Sequence, residues 1–490
     1  MRSRSTLFVL AVATLIFSLQ PVRAPAQEVP ERPEMTLEDL FASGVFRPER
    51  FQGGKWTDEG PIITFVEQSA SDSTTDLVEY NLESSSRSVL VDGSNLHAED
   101  VGRTILIEDY AFGPDRRKVL IYTDSKEVWR YNTKGFYYVY DRDTQELTPV
   151  SARDRGYQMF AKFGPEARRV AFVRERDLFV VDMESGEERR LTASGSEGGI
   201  INGTSDWVYE EEFGLRDGWR WSPDGRHIAF VQLDESDTRT YTLQDLREGQ
   251  YPNLTRYRYP KAGHANSEIH VGVVEVGSGE TRYFDTGTWR AGGDSLEYIP
   301  RLGWTPPIEG RSRVWIMRMN RAQNHVDLLY GDPSSGRVRQ AFEETSETWI
   351  EVETGFTGLD VGKITFLEDR EQFVWVSEAD GYRHLYLHEQ TGERVRQITR
   401  GAWDVTDFHG VDPETESIYF TATIESPLER QLYRTSLQGG GSGQAARSSP
   451  GGSSAGAISG SSAGETDGTV PEGIERVSTE RGWHSVDLSR

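Results

Sequence analysis

Short runs of apolar and aromatic residues recur along the chain, and each run follows an aromatic residue and a tight-turn sequence. Four such runs are clear, and they occupy residues 119–122, 170–173, 228–231 and 373–376. The sequences before them, FGPDR, FGPEA, WSPDG and FLED, combine an aromatic residue with residues that favour turns. Runs of this length and composition between turn residues are typical of β-strands.

Further strands follow two of these runs at short intervals. Residues 177–182 and 385–387 are rich in apolar residues, and the sequences SGE and TGE after them indicate hairpin turns. The unit of aromatic residue, turn and strand returns after about 40 to 60 residues, which indicates a β-propeller. A β-sandwich is the alternative, but it has no reason to repeat one turn motif. We therefore predict an all-β fold, a β-propeller, with one short helix between Met35 and Phe46 that Thr36 can cap.

The N-terminus has the pattern of a secretory signal peptide. Arg2 and Arg4 precede an apolar run over residues 7–19, and small residues stand at Ala24 and Ala26. We therefore expect residues 1–26 to be a signal peptide and the protein to be exported, periplasmic or secreted. A single membrane anchor is the alternative, but the run is shorter than the roughly 20 residues that a span needs.

The rest of the chain divides by composition. We expect residues 27–50 to form a linker with the short helix, and residues 51–490 to form the propeller. Within the propeller, residues 438–471 are rich in Gly, Ser, Ala and Pro and lack apolar periodicity. Such a tract cannot bury enough surface to offset its chain entropy, so we predict a disordered insertion in the last blade's hairpin. Residues 474–478 then provide the returning strand.

Charge and composition exclude several kinds of chemistry. The formal net charge is −25, which argues against a nucleic-acid partner and favours cationic ligands. The chain has no cysteine, so it has no disulfide, no thiolate metal site and no thiol nucleophile. His384 and His388 are four residues apart, but the residues between them are strand-like, so we expect structural roles. We predict neither a cofactor nor a metal ion.

The strongest chemical signal is a cluster of three carboxylates. Residues 206–213 read DWVYEEEF, and the strand-entry sequence WRWSPDG follows at residues 219–225. Adjacent like charges repel, so a folded protein tolerates them best where a cation binds or where water screens them. A solvated acidic turn is the simpler interpretation. The functional interpretation is that the segment is a short helix or loop, held against a sheet, that binds a cation.

This segment resembles the motif DWVYxEE of the dipeptidyl peptidase IV family of serine peptidases. The resemblance implies that Glu211 and Glu212 bind the free N-terminal ammonium of a peptide. Residues 129–131 and 138–141 resemble the family segment whose arginine contacts a substrate carbonyl, and Arg130 is the matching position. Other segments resemble family sequences in the family's order, and they are residues 259–266, 321–324 and 380–386.

The resemblance extends from about residue 35 to residue 437. It implies eight blades, removal of Xaa-Pro or Xaa-Ala dipeptides, and a possible homodimer in the intact family. Family members continue into an α/β-hydrolase domain, and residues 482–489 resemble the stretch that leads into it. The strings of the form Gly-x-Ser-x-Gly at residues 452–456 and 460–464 lie in the low-complexity tract without a preceding strand. A nucleophile elbow needs strand, turn and helix, so we expect no catalytic residue here.

Two functions remain open at this stage. One is the substrate-binding and gating propeller of a dipeptidyl peptidase, truncated before the catalytic domain and inactive alone, with a separately encoded hydrolase as a possible partner. The other is a non-catalytic propeller that binds peptide N-termini or a protein partner. Glu211, Glu212 and Arg130 are the binding residues in both.

Overall fold

The repeating unit of the fold is a four-stranded antiparallel meander. The computed structural model describes residues 35–45, 53–69, 73–196, 198–247, 249–287, 297–352, 363–368, 370–438, 470–486 and 488. The chain divides into two compact units, Met1–Gly53 and Gly54–Arg490. In the first unit lies helix α1, Leu37–Phe41, which Thr36 and Asp39 cap reciprocally through side chain and backbone. This is the short helix expected from the sequence, although it covers fewer residues.

The second unit begins with three meanders. The first consists of β1 Lys55–Trp56, β2 Ile62–Gln68, β3 Thr75–Asn81 and β4 Ser86–Val91. A small hairpin follows, with β5 His97–Ala98 and β6 Arg103–Thr104. The second meander consists of β7 Asp109–Phe112, β8 Lys118–Val128, β9 Tyr131–Asp141 and β10 Glu146–Pro149. The third consists of β11 Gln158–Phe163, β12 Arg169–Arg174, β13 Asp177–Asp182 and β14 Glu188–Arg190, and its β11 also pairs with β9.

The fourth meander differs from the others because its first strand is interrupted. Its strands are β15 Ile200–Asn202, β16 Trp219–Trp221, β17 His227–Asp234, β20 Glu268–Glu275 and β21 Thr281–Tyr283. Both β15 and β16 pair with β17, and helix α2, Trp207–Phe213, fills the interruption. A separate hairpin, β18 Thr240–Asp245 and β19 Asn253–Arg258, lies between β17 and β20 in sequence.

Three further meanders complete the described strands. The fifth consists of β22 Tyr298–Trp304, β23 Val314–Met319, β24 His325–Gly331 and β25 Val338–Thr345. The sixth consists of β26 Ile364–Phe366, β27 Gln372–Ser377, β28 His384–Glu389 and β29 Arg394–Gln397. The seventh consists of β30 Val405–Asp412, β31 Ser417–Ala422, β32 Gln431–Ser436 and β33 Ile474–Arg476.

The core lies between consecutive meanders, because the strands bury both faces. On β8, Val119 and Ile121 pack toward the first meander, whereas Leu120 packs toward the third. On β27, Phe373 and Val374 belong to different apolar clusters, one shared with the fifth meander and one with the seventh. Neighbouring residues of a strand point to opposite faces, so this packing requires continuous apolar runs. Those runs are the ones visible in the sequence.

This serial packing of meanders confirms the predicted all-β propeller and excludes a two-sheet sandwich. The predicted count of eight blades is not confirmed, since the described residues contain seven meanders, six with four strands and the fourth with five because its first strand is interrupted. The predicted signal peptide, most of the linker and residues 439–469 lie outside the described residues. The returning strand expected after the low-complexity tract is β33, which pairs with β32. No helix among the described residues is long and apolar enough to cross a membrane.

Candidate functional site

Helix α2 is fixed at both ends by its own sequence. The carboxylate of Asp206 accepts the backbone N–H of Tyr209 at 2.9 Å and the hydroxyl of Ser267 at 2.6 Å. Asp206 is buried, and burial raises the pKa of its carboxyl. Gly214 ends the helix in the left-handed conformation, with φ of 60°, where glycine carries no Cβ penalty. The interruption of the fourth blade is therefore a defined, capped helix.

The aromatic residues of α2 hold it in the core. Tyr209 and Phe213 are buried, and the ring of Tyr298 on β22 lies 6.2 Å and 5.1 Å from theirs. The hydroxyl of Tyr209 also accepts the backbone N–H of Ile299 at 3.3 Å. These contacts join the helix to the fifth meander. They fix the direction in which the carboxylates on its other faces point.

The three consecutive carboxylates lie in different surroundings, because successive helical residues are rotated by about 100°. Glu210 is buried, and burial raises the pKa of its carboxyl. Glu211 is 22% exposed and forms an ion pair with Arg130, with 2.5 Å between Oε1 and Nε. Glu212 is exposed and accepts the side-chain amide of Gln323 at 2.6 Å. Glu211 and Glu212 thus occupy neighbouring positions at the surface.

Arg130 reaches α2 from a long hairpin of another blade. Strands β8 and β9 each contain 11 residues, and they join through the two-residue tip Trp129 and Arg130. Trp129 has a φ of 55°, which permits the tight reversal. The Arg216 guanidinium lies 4.0 Å from the centre of the Tyr131 ring, next to the tip. The hairpin therefore brings an arginine of the second blade to a glutamate of the fourth.

Other segments noted in the sequence also lie around α2. Asn266 donates its side-chain amide to the Tyr298 hydroxyl at 2.6 Å, and burial raises the pKa of Tyr298 to about 12. Arg321 donates to the backbone carbonyl of His264 at 3.0 Å and to Glu297 at 3.3 Å. The segments 259–266 and 321–324 therefore supply the polar surroundings of the helix.

The structure brings all three predicted residues to one place, and Arg130 contacts Glu211 directly. Sequence reasoning assigned no role to Gln323, Glu210 or Arg216. Gln323 lies within residues 321–324, which resemble a family sequence, and this resemblance could have indicated a role for it. Glu210 belongs to the acidic triplet itself, but its burial depends on helix orientation. Nothing in the sequence around Arg216 indicated its position beside the hairpin tip.

Two other clusters of charge lie away from α2. His325, Asp327 and Glu343 on β24 and β25 place possible metal-ligand atoms within 4.8 Å of one another. However, Asp327 already bonds with Arg318 and Gln340, which compete with a cation for its oxygens. A cleft of about 220 Å³ lies elsewhere, between the fifth and sixth meanders, and its lining includes a buried pair of Lys363 and Glu344. We assign the candidate site to α2, where the predicted residues meet.

His384 and His388, for which the sequence predicted structural roles, are both buried on β28. His384 contacts the Thr399 hydroxyl and the Gly401 carbonyl, each at 3.1 Å. His388 lies 3.3 Å from the Gly392 carbonyl. Burial lowers the pKa of both imidazoles, which favours their neutral forms.

Residues 113–464 match the family model described as the dipeptidyl peptidase IV N-terminal region. The rat protein named inactive dipeptidyl peptidase 10 is 26% identical over 88% of this chain and 53% of its own length. Dipeptidyl peptidase 4 of Arthroderma otae is 30% identical over 67% of this chain and 42% of that protein. The crystal structure of Porphyromonas gingivalis dipeptidyl peptidase 4 is 28% identical over 84% of this chain and 55% of that chain, with a TM-score of 0.72. The chain spans about half the length of the curated relatives it matches.

Proposed function

Because this chain belongs to the dipeptidyl peptidase IV family through its N-terminal region, we propose that α2 binds the free N-terminus of a peptide. Glu211 and Glu212 accept hydrogen bonds from the ammonium, and Arg130 donates to a backbone carbonyl of the same peptide. An α-ammonium carries three donors on one compact cation, so two adjacent carboxylates suit it. The guanidinium is planar and always charged, so it suits a carbonyl acceptor nearby.

The contact between Arg130 and Glu211 carries this proposal. The two residues lie on different blades, yet their side chains are 2.5 Å apart. Arg130 offsets part of the repulsion between adjacent carboxylates, and its side chain is 68% exposed, so a ligand can reach it. Binding of the ammonium to Glu211 loosens the ion pair and releases guanidinium donors for the ligand's carbonyl. The ammonium and a backbone carbonyl of the same peptide are then held together, which fixes the position of the peptide along the site.

We propose that this register serves the removal of Xaa-Pro or Xaa-Ala dipeptides by a hydrolase portion. The propeller then binds and gates the substrate, and the hydrolase portion supplies the nucleophile, base and oxyanion hole. That portion is supplied by a separately encoded partner or by a continuous longer chain. We also propose that the protein is exported, because its N-terminus has the basic and apolar pattern of a signal peptide. A homodimer is part of the same proposal.

A non-catalytic binding propeller is the second candidate. It is favoured by the relative whose printed name calls it inactive, which matches most of this chain. In that case the same residues capture peptide N-termini without cleavage. The coding sequence downstream of codon 490 separates the two candidates, since a hydrolase with a nucleophile elbow there supports the peptidase.

Titration calorimetry with a Xaa-Pro dipeptide tests the ammonium site. We expect an affinity on the order of millimolar, because exposed ion pairs are screened by water. N-acetylation of the dipeptide should abolish binding, since it removes the charge and two of the donors. Glu211→Gln and Glu212→Gln should each weaken binding by about tenfold, the scale of one charge-assisted hydrogen bond.

The matched control is Glu83→Gln, at an exposed glutamate in the turn between β3 and β4. This variant removes the same charge from the chain and should bind as the wild type does. If the free and the acetylated dipeptide bind equally well, the proposal that α2 binds the ammonium is wrong. If Glu83→Gln weakens binding as much as Glu211→Gln, only the overall charge matters.

A further inference from the structure

The two carboxylates of the proposed ammonium site are held by donors of different charge. Glu211 pairs with the guanidinium of Arg130, 2.5 Å from its Oε1, so a positive charge already offsets its own. Glu212 accepts the side-chain amide of Gln323 at 2.6 Å, and this donor is neutral. Within the described residues, Glu212 forms no ion pair and its carboxylate has no second hydrogen-bond donor. Glu212 is therefore oriented without being neutralised.

Gln323 lies in the turn between β23 and β24, and hydrogen bonds within this turn fix its backbone. The backbone N–H of Gln323 donates to the Asn320 carbonyl at 3.0 Å. The side-chain oxygen of Asn320 accepts the backbone N–H groups of Asn324 and His325 at 3.0 Å and 3.1 Å. Gln323 itself has a φ of 55°, in the sparsely populated left-handed region. The closed turn therefore holds the backbone from which the Gln323 amide projects.

The segment that follows β25 supports the same turn from its other side. The backbone N–H of Ser346 donates to the Asn324 carbonyl at 2.9 Å, and that of Ile350 donates to the Gln323 carbonyl at 2.8 Å. Ile350 is only 3% exposed, so the segment is anchored in the core. Both backbone groups of Gln323 are thus bonded outside α2, whereas its side chain contacts the helix.

We propose that Gln323 is a positioning residue, whose amide holds the Glu212 carboxylate in place for the ligand's ammonium and leaves its negative charge available. A free glutamate side chain loses rotamer freedom when a ligand binds, and orienting it beforehand removes part of that cost. A neutral donor suits this task, because a cation at the same place would repel the ammonium. The effect on affinity rests on the proposed ammonium site. The contact between Gln323 and Glu212 is a property of the free chain.

Two substitutions at Gln323 separate orientation from charge, with the Xaa-Pro dipeptide as the probe. Gln323→Met keeps the length and removes the donor, and it should weaken binding by about threefold to fivefold. Gln323→Lys keeps a donor but adds a positive charge, and it should weaken binding by about tenfold or more. Titration calorimetry measures both. Wild-type affinity in Gln323→Met, or affinity in Gln323→Lys at least equal to that in Gln323→Met, would overturn the proposal.

Gln145→Met is the matched control, because Gln145 is also a turn glutamine with positive φ, 61°, and is exposed. This variant repeats the substitution in a similar backbone and should bind as the wild type does. In a Glu212→Ala background, Gln323→Met should cause no further loss, since Gln323 acts through Glu212. A further loss as large as in the wild-type background would mean that the substitution acts through the turn, which contradicts the proposal.

The contact itself is measurable by NMR without a ligand. In protein labelled with ¹⁵N at glutamine, the side-chain signals of Gln323 are those that Gln323→Met removes. Glu212→Ala should shift these signals, whereas Glu83→Gln should leave them in place, and the other glutamine signals report whether each variant is folded. Unshifted signals in Glu212→Ala refute the role of Gln323, whatever the wild type binds. Equal binding of free and acetylated dipeptide refutes the ammonium site, and the NMR signals still decide the contact.

Discussion

Among individual residues, the buried carboxyl of Asp206 at the start of α2 makes the stability of the fold depend on pH. Burial raises its pKa above the ordinary value of 3.8, so the folded protein holds this proton more tightly than the unfolded chain does. Stability from this residue is therefore greatest below pH 3.8 and falls as the pH rises from there to the raised pKa. Its hydrogen bonds with Tyr209 and Ser267 offset part of this loss.

Asp206→Asn should make the protein less sensitive to pH in that range. Asparagine retains an acceptor for the Tyr209 N–H and does not ionise. The stability of wild type minus that of the variant, from urea unfolding, should fall as the pH rises above 3.8. Asp182→Asn is the control of opposite sign, because hydrogen bonds lower the pKa of half-buried Asp182 and stabilise the fold at higher pH. Parallel curves for wild type and Asp206→Asn would contradict this account.

Among the elements, the middle strands of each blade carry most of the packing. Such a strand buries alternate residues against two different neighbours, as β8 and β27 do. A truncation there leaves a cavity between two blades that closely packed sheets fill only in part. The β18–β19 hairpin differs, because its strands pair with each other and with no other described strand, and they carry exposed leucines.

Leu120→Ala on β8 should therefore destabilise the fold by about 2–5 kcal/mol. Leu120 is 2% exposed and packs between the second and third meanders. Leu254→Ala on β19 is the matched control, since this leucine is 53% exposed and should change stability by less than about 0.5 kcal/mol. The urea midpoints of the two variants provide the comparison. Equal shifts would mean that Leu120 does not belong to a cooperative core.

For the molecule as a whole, binding of a peptide N-terminus is not sufficient for peptide cleavage. Cleavage of a peptide bond needs a nucleophile, a base and an oxyanion hole in one constellation. The two Gly-x-Ser-x-Gly strings, around Ser454 and Ser462, lie outside the described residues and in the low-complexity tract. Glu211, Glu212 and Arg130, the proposed binding residues, supply none of these three catalytic groups.

The purified 490-residue chain should therefore not hydrolyse a chromogenic Gly-Pro substrate. A hydrolase portion added as a separate polypeptide should be needed for turnover. Ser454→Ala and Ser462→Ala should leave the background rate unchanged. Turnover by the chain alone that either substitution abolishes would show that one of the two strings is a true nucleophile elbow.

Local sequence determined the strands, their turns and the chemistry of the acidic segment. Runs such as 170–173 and 373–376 are apolar at successive positions because the strands are buried on both faces. Strand β13 begins and ends where the sequence predicted, at Asp177 and Asp182. The resemblance at residues 206–212 identified the family, and Thr36 identified the cap of α1. Each of these signals depends on residues close together in the chain.

Tertiary structure alone decided which residues meet. The interruption of the fourth blade by α2, the burial of Glu210 and the partner of Glu212, Gln323, all depend on how separate blades pack. The sequence named Arg130 and Glu211, but only the long β8–β9 hairpin places their side chains in contact. Periodicity and turn residues specify an element and its faces. Contacts between elements depend on long-range packing and register, which no local pattern encodes.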